Sequence, residues 1–161
     1  MIFIGPGDYL FACVDEKVSI VLGSCVALIG WLPQHRLTLA THIMLPGYTR
    51  QAEYDLRYGG DVLRRWSIDA QRCGFNMQTF RLGLFGGSSR FFNSEQSVLS
   101  VGMKNISFMH SELNELGLTL HVEKTGGGVH RKLLFNGQTG GYQIHYLDRE
   151  AENILGDESW L

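Results

Sequence analysis

Glycine placement is the feature that most restricts what this chain can fold into. The sequence has 20 glycines in 161 residues, well above the roughly 7% that is usual for proteins. Many of them are grouped, at positions 59–60, 86–87, 126–128 and 140–141, and short apolar segments lie between the groups. Because glycine reaches the positive φ angles of tight turns without steric cost, this pattern predicts short elements joined by turns.

Short stretches rich in β-branched and alternating apolar residues predict the strands. These stretches are Tyr9 to Val14, Val18 to Leu22, Val26 to Trp31, Leu37 to Ile43, Thr79 to Phe85, Leu118 to Val122, Lys132 to Phe135 and Tyr142 to Tyr146. They fall into two groups, one in the first quarter of the chain and one in its second half.

Two segments carry apolar residues at helical spacing, Leu56 to Gly74 and Val101 to Leu116. Ser100 is a suitable N-cap for the second segment, and Gly74 and Gly117 are suitable C-terminal residues. The strands cluster before and after the helices and do not alternate with them. The sequence therefore predicts an α+β fold with a largely antiparallel sheet.

The chain has no internal repeat and no low-complexity linker, and its length suits one domain with a proper core. A single domain is therefore predicted over residues 1–161. The last residues, 148–161, are acidic with scattered apolar positions, and we interpret them either as a loose tail or as a docking helix.

Charge and cysteine content narrow the functional classes. The chain has 14 Lys and Arg against 16 Asp and Glu, a net charge of -2, which argues against a general nucleic-acid binder. No basic leader and no long apolar span is present in the sequence, so neither a signal peptide nor membrane insertion is expected. Cys13, Cys25 and Cys73 form no C-x-x-C pair, which favours a reducing cytoplasm. Cys13 and Cys73 are predicted as ordinary buried residues.

Two residues early in the chain raise the question of a thiol hydrolase. Gly23 and Ser24 turn the chain before Cys25, whose backbone N–H would then be available to an oxyanion. His42 ends an alternating strand shortly before Pro46, a suitable place for a general base. On local sequence alone, however, burial in a core is the simpler interpretation of both residues, since cysteine is among the most buried residue types.

Two further patterns allow other chemistry. His42, His121 and His145 fall on predicted strands and would suit a metal site, but no close ligand pair such as H-x-x-x-H supports one. The stretch from Thr125 to Lys132, TGGGVHRK, would suit an anion cradle, although no Walker A or dinucleotide pattern is present. A flexible hairpin with a solvated basic edge is the simpler interpretation of that stretch.

Taken in chain order, several motifs resemble the chemoreceptor glutamine deamidase family, CheD. The resemblance covers about residues 15 to 147 and is carried by Leu22 to Ala27, His42 to Pro46, Arg57-Tyr58, Leu84 to Gly87, Gly102 to Asn105, Arg131-Lys132 with Phe135, and Thr139-Gly140. It implies an α/β sandwich in which layers of largely antiparallel sheet are flanked by two main helices. This agrees with the α+β fold predicted from the residues themselves.

The resemblance also implies a catalytic triad of the kind found in cytotoxic necrotizing factor toxins. Cys25 would be the nucleophile, His42 the base and Ser19 the third residue, with the turn at Gly23 and Ser24 holding the oxyanion. The family usually has threonine in place of Ser19. A serine hydroxyl still supplies the oxygen that orients an imidazole, but it lacks the β-branch that stiffens the side chain.

Candidate docking residues lie outside the triad. Phe91 and Phe92 follow the Gly86-Gly87 turn, and they are either part of a docking surface or ordinary core. His130 stands where family members commonly carry a glycine, and this difference, beside Arg131, is expected to affect how a substrate or partner docks.

The implied activity is that of a protein-glutamine glutaminase. It would convert glutamines of chemoreceptors to glutamate with release of ammonia, without a metal or an organic cofactor. The implied partners are the cytoplasmic helices of chemoreceptors and a CheC-type phosphatase. Two alternatives stay open: a catalytically weak binding module that docks the phosphatase, and a metal-dependent hydrolase that uses the three histidines named above.

Overall fold

A computed structural model describes residues 1–90, 93–147 and 152–159 of the chain, and for residues 97, 98 and 152–159 it describes the backbone alone. The strands in this part are β1 Ile2–Phe3, β2 Tyr9–Cys13, β3 Lys17–Leu22, β4 Val26–Leu32, β5 Leu37–Thr41, β6 Arg81–Gly86, β7 Val122–Thr125, β8 His130–Asn136, β9 Gly141–Leu147 and β10 Glu152–Ser159. The α-helices are α1 Gly59–Arg72 and α2 Val101–Glu115, with short 3-10 turns at Pro33–His35, Met77–Thr79 and Glu95–Leu99.

The strands form two five-stranded sheets. The outer sheet has the order β1-β3-β8-β9-β10, and the central sheet has the order β2-β5-β4-β6-β7. Pairing is antiparallel except between β1 and β3 and between β6 and β7. The α+β fold with largely antiparallel sheet is thereby confirmed.

The central sheet is buried on both faces. All seven residues of β4 are buried, and successive side chains of a strand point to opposite faces. Val26 and Leu28 pack with Trp66 of α1 on one face, whereas Ile29 packs with Phe135 of the outer sheet on the other. The order of layers is therefore outer sheet, central sheet and helices.

The helix ends follow the predicted signals closely. Ser100 caps α2, its side chain accepting a hydrogen bond from the Met103 N–H at 3.3 Å, and Gly117 follows the helix with φ +69°. Helix α1 begins at Gly59, later than predicted, because Leu56 belongs to the loop that pairs with residues 44–45 through the Arg57 carbonyl. No helix among the described residues is long and apolar enough to cross a membrane.

Two predictions about local structure are wrong. The predicted strand at Leu118 to Val122 lies instead at Val122–Thr125, because the Leu118 N–H bonds to the Leu113 carbonyl and completes the end of α2. The C-terminal segment is neither a docking helix nor a loose tail over Glu152–Ser159, where it forms β10 against β9. Without β10, one edge of β9 would present unpaired backbone donors and acceptors, and pairing with β10 satisfies them.

Candidate active site

One pocket of about 1020 Å³ collects most of the residues singled out from the sequence. It lies where the ends of the outer and central sheets meet the first turn of α2. The predicted site residues that line it are Ser19, Gly23, Ser24, Cys25, His42 and His130. Arg131 is absent from its lining, and Phe91 and Phe92 lie outside the described residues.

Cys25 lies in the turn that carries the chain from one sheet to the other. Strand β3 of the outer sheet ends at Leu22, and strand β4 of the central sheet begins at Val26. The three residues between them cannot belong to either ladder, and the Cys25 side chain is half-buried in the pocket wall. The fold therefore presents this cysteine at a crossing point, whereas Cys13 and Cys73, predicted as buried, are both exposed.

The carbonyl groups of this turn are all tied down. The Gly23 carbonyl accepts a hydrogen bond from the Ser88 N–H at 2.9 Å, and the Cys25 carbonyl accepts one from the Gly87 N–H at 2.8 Å. The Ser24 carbonyl accepts one from Asn105 Nδ2 at 3.0 Å. By contrast, the N–H groups of Ser24 and Cys25 have no acceptor among the described residues. Carbonyls held inward with neighbouring N–H groups unpaired are the arrangement that an oxyanion hole requires.

Gly86 allows the close backbone contact on which this turn depends. Its φ is +101°, and a Cβ atom added there would lie 2.4 Å from the carbonyl oxygen of Cys25. Any side chain would therefore push β6 away from the turn. Gly86 thus permits the backbones of β6 and of the Cys25 turn to approach each other closely.

His42 is only 3% exposed, and its ring is held by a backbone carbonyl. Its Nδ1 atom lies 3.1 Å from the carbonyl oxygen of Ile4. Its backbone is held on both sides, by the Asp8 carbonyl at 3.2 Å and by the Gly7 N–H at 2.9 Å. Because a carbonyl can only accept, Nδ1 carries the proton, and Nε2 of the neutral ring is left as the acceptor.

Ser19 lines the pocket but is not hydrogen-bonded to the imidazole. In the described part of the chain its hydroxyl makes no bond to His42, and the oxygen that orients the imidazole, expected from Ser19, comes from the Ile4 carbonyl. The Ser19 backbone contributes indirectly, because its carbonyl accepts the Ile4 N–H at 3.0 Å. The orienting group is thus a main-chain carbonyl, which β1 brings beside β3.

The electrostatic environment of the pocket is neutral to positive. Lys132, Arg90 and His130 line it, and none of its described lining residues is Asp or Glu. The first turn of α2 also lines it, and a helix N-terminus carries a partial positive charge. Burial nevertheless raises the pKa of the Cys25 thiol above its ordinary value. Burial therefore favours the thiol form of Cys25 over the thiolate in the free protein.

His130 and Arg131 take opposite faces of β8. The exposed His130 ring covers the Gly23 turn, where an added Cβ would lie 3.0 Å from its Nε2. Arg131 is only 2% exposed, and its guanidinium donates to the carbonyls of Lys124 and Gly126. This buried side chain ties the glycine loop to the sheet, so the structure lends no support to the docking role expected of Arg131.

The three histidines of the metal alternative do not converge. His121 Nδ1 accepts the Leu82 N–H at 3.1 Å in the central sheet, while His145 lies on β9 of the outer sheet. In the described ranges, no group of three or more His, Cys, Asp or Glu side chains is arranged to hold a metal ion. The structure gives this alternative no ligand set.

Two functional positions escape reasoning from the residues alone. The Ile4 carbonyl leaves no signal, because every residue carries a carbonyl and only the fold brings this one to His42. In the sequence Asn105 stands out only as the end of a motif, whereas the structure shows its side chain bonded to the carbonyls of both Ser24 and Met44. Its signal was available: it is a polar residue on the face of α2 that also carries Ile106 and Met109.

Comparison with known proteins gives consistent matches. The family model for CheD chemotactic sensory transduction matches residues 44–146. A probable chemoreceptor glutamine deamidase, CheD 2 of Albidiferax ferrireducens, is 32% identical over 91% of this chain and 87% of its own. CheD 1 of Chromobacterium violaceum, with the same description, is 30% identical over 94% of this chain and 79% of its own. CheD 3 of Dechloromonas aromatica is 27% identical over 96% and 94%.

These matches also reach the pocket. The family model begins just after His42, but the relatives are matched over more than nine-tenths of the chain. They therefore include the segment that carries Ser19, Cys25 and His42. Because the family model matches more than half of the chain and two relatives are at least 30% identical over most of its length, this chain belongs to the CheD family.

Proposed function

We propose that this chain is a chemoreceptor glutamine deamidase, which converts glutamine side chains of receptor cytoplasmic segments to glutamate. The observation that carries the proposal is the pairing of Cys25 and His42 in one pocket, with the ring fixed by Ile4 so that Nε2 can accept a proton. The printed names of the relatives, probable chemoreceptor glutamine deamidases, support the same substrate.

The first half of the reaction forms a thioester. The Cys25 sulfur attacks the carboxamide carbon while the thiol proton passes to Nε2 of His42. Charge develops on the carboxamide oxygen, where the unpaired N–H groups of Ser24 and Cys25 stabilise it. The C–N bond then breaks, and His42 returns its proton to the leaving nitrogen, which departs as ammonia.

The second half hydrolyses that thioester. His42 accepts a proton from a water molecule as its oxygen attacks the acyl carbon. The C–S bond breaks, Cys25 regains a proton, and the product is glutamate. One imidazole serves both halves, so the Ile4 contact matters twice. Since burial favours the neutral thiol in the free protein, the reaction needs His42 to take the thiol proton.

The mouth of the pocket favours a macromolecular substrate. Four exposed apolar side chains line it, Phe3, Val21, Leu99 and Val101, and the exposed fraction reaches 74% at Phe3 and 70% at Leu99. An apolar rim around a small reactive centre suits a helix that presents one glutamine inward. The cationic groups nearby would favour a segment that also carries acidic residues.

Two observations favour a second candidate, a catalytically weak module that docks a CheC-type phosphatase. The Cys25 thiol is not acidified in the free protein, and Ser19 does not bond to His42. A binding module needs neither property. In this alternative the apolar rim would serve the partner and turnover would be incidental.

Ammonia release from receptor cytoplasmic fragments distinguishes the two candidates. The enzyme proposal predicts release that requires both Cys25 and His42, together with conversion of specific glutamines seen by peptide mass spectrometry. Cys13→Ser, at an exposed cysteine away from the pocket, is the matched control and should behave as wild type. If no fragment is converted while a CheC-type phosphatase still binds, the module is the correct reading.

A further inference from the structure

We propose that Asn105 is a positioning residue for this reaction, which holds the turn of Cys25 and the strand end of His42 at a fixed separation. The inference rests on the proposed deamidase function and adds a residue to its machinery. Asn105 does not line the pocket, so its effect passes through the backbone.

The geometry of Asn105 is that of a clamp between two segments. Its Nδ2 donates to the carbonyl of Ser24 at 3.0 Å and to the carbonyl of Met44 at 3.1 Å. Ser24 immediately precedes Cys25, and Met44 follows His42 by two residues. A single amide group therefore joins the nucleophile's turn to the segment that carries the base.

The clamp is itself firmly seated. Asn105 is completely buried on α2, and the start of that helix is pressed against the segment that follows β6, where a Cβ on Gly102 would lie 2.5 Å from the Ser88 carbonyl oxygen. Ser88 in turn donates its N–H to Gly23 at 2.9 Å. Movement of the Asn105 side chain relative to the turn would therefore require the whole helix end to move.

Asn105 is a poor choice for packing alone. Its Oδ1 is buried and has no hydrogen-bond partner among the described residues, and an unsatisfied buried acceptor is destabilising. Leucine has nearly the same branched shape and would remove that unsatisfied atom. An amide at this position is best explained by what its Nδ2 holds in place, since a wrongly placed reacting group can cost roughly 100-fold in rate.

The test compares Asn105→Leu with a variant that loses a buried bond elsewhere. Trp31→Phe is the matched control, because Trp31 Nε1 donates to the buried Gly137 carbonyl at 3.0 Å. Trp31 lies near the far end of β4, roughly 17 Å along the strand from the Cys25 turn. Both variants are assayed for kcat and KM on a receptor fragment, and for unfolding by denaturant.

Asn105→Leu should lower kcat by about 10- to 100-fold with little change in KM. Trp31→Phe should keep wild-type kcat even if its free energy of unfolding is reduced. Wild-type kcat in folded Asn105→Leu would overturn the proposal. So would an equal loss of kcat in Trp31→Phe, because the effect would then follow stability. If Asn105→Leu does not fold, Asn105→Asp replaces it, and the same kcat outcomes support or overturn the proposal. This variant keeps the shape of the side chain but places a carboxyl group against the two carbonyls.

A second readout does not depend on deamidation. Alkylation of Cys25 is followed with iodoacetamide in a Cys13→Ser, Cys73→Ser background at neutral and alkaline pH. The charged and titratable groups that line the same pocket, His42, His130, Lys132 and Arg90, are unchanged. The pH profile of Asn105→Leu should approach that of His42→Ala. An unchanged profile would overturn the positioning role even if the wild type proves inactive on receptors, so failure of the two proposals can be told apart.

Discussion

The Nδ1 atom of His42 is 3.1 Å from the carbonyl oxygen of Ile4, and the N–H of the same Ile4 donates to Ser19 at 3.0 Å. A residue near the chain start thus connects β3 of the outer sheet to the imidazole at the end of β5. The two-residue strand β1 has a clear structural role, because it leads into the main-chain carbonyl that fixes the tautomer of the His42 imidazole.

Ile4→Pro tests that contact. Proline lacks the N–H that anchors Ile4 to Ser19, so the carbonyl should lose its position and kcat should fall by about 10- to 100-fold. A proton NMR spectrum should also lose the slowly exchanging Nδ1–H signal of His42. Ile4→Val, which keeps the backbone bonds, is the control. Retention of that signal and of kcat in Ile4→Pro would contradict the assignment.

Ser19→Ala tests whether the hydroxyl or the carbonyl orients the ring. Since Nδ1 is already bonded to Ile4, we expect the variant to keep kcat within about threefold of wild type. Loss of a hydrogen bond that orients the imidazole would lower kcat by more than this. Ser19→Thr should likewise have a small effect. Steady-state kinetics on one receptor fragment provide the measurement. A loss as large as that of His42→Ala would show that the hydroxyl is the third catalytic group.

Gly86→Ala should disturb the Cys25 turn through a direct clash. Its positive φ and the 2.4 Å approach to the Cys25 carbonyl together predict a loss of roughly 2 to 5 kcal/mol in the free energy of unfolding. Gly117→Ala is the control, since Gly117 has a φ of +69° but open space around it. It should lose only about 1 kcal/mol. Chemical denaturation measures both, and equal losses would contradict the clash.

The raised pKa of the Cys25 thiol predicts a pH dependence of stability. Burial keeps the thiol protonated in the folded chain at pH values where an unfolded cysteine, with a pKa of about 8.5, has lost its proton. The unfolded state is then favoured, so this group's contribution to stability is complete below that pKa and declines as pH rises above it.

Denaturation of the wild type and of Cys25→Ala across that alkaline range measures the effect. The difference in unfolding free energy between the two should shift against the wild type as pH rises. Because the side chain is only half-buried, the change should be small. A shift in the opposite direction would mean that the folded protein stabilises the thiolate.

The fold was largely predictable because its signals are local. Short apolar runs bounded by turn residues indicate strands such as Val26–Leu32. Apolar residues at helical spacing after a capping serine indicate the helix that follows Ser100. The exceptions are the two edge strands of the outer sheet: β1 pairs with β3 and skips β2, whereas β10 pairs with β9, the strand that precedes it in the chain. Their residues carry too little pattern of their own to be identified as strands.

The site was predictable only in part, for a similar reason. Cys25 and His42 carry reactive side chains, so sequence motifs point to them. The Ile4 carbonyl and the unpaired N–H groups of the turn are main-chain features that any residue could supply. The burial of Arg131 was equally hard to foresee, because a basic residue beside glycines indicates an exposed loop, whereas the alternation of β8 turns it inward.

The most direct test of the central claim is site-resolved mass spectrometry of receptor cytoplasmic fragments after incubation with wild type, Cys25→Ala and His42→Ala. The account predicts that particular glutamines become glutamate with the wild type and stay unchanged with either variant. Conversion that persists in Cys25→Ala, or no conversion by the wild type across a panel of receptors, would contradict it.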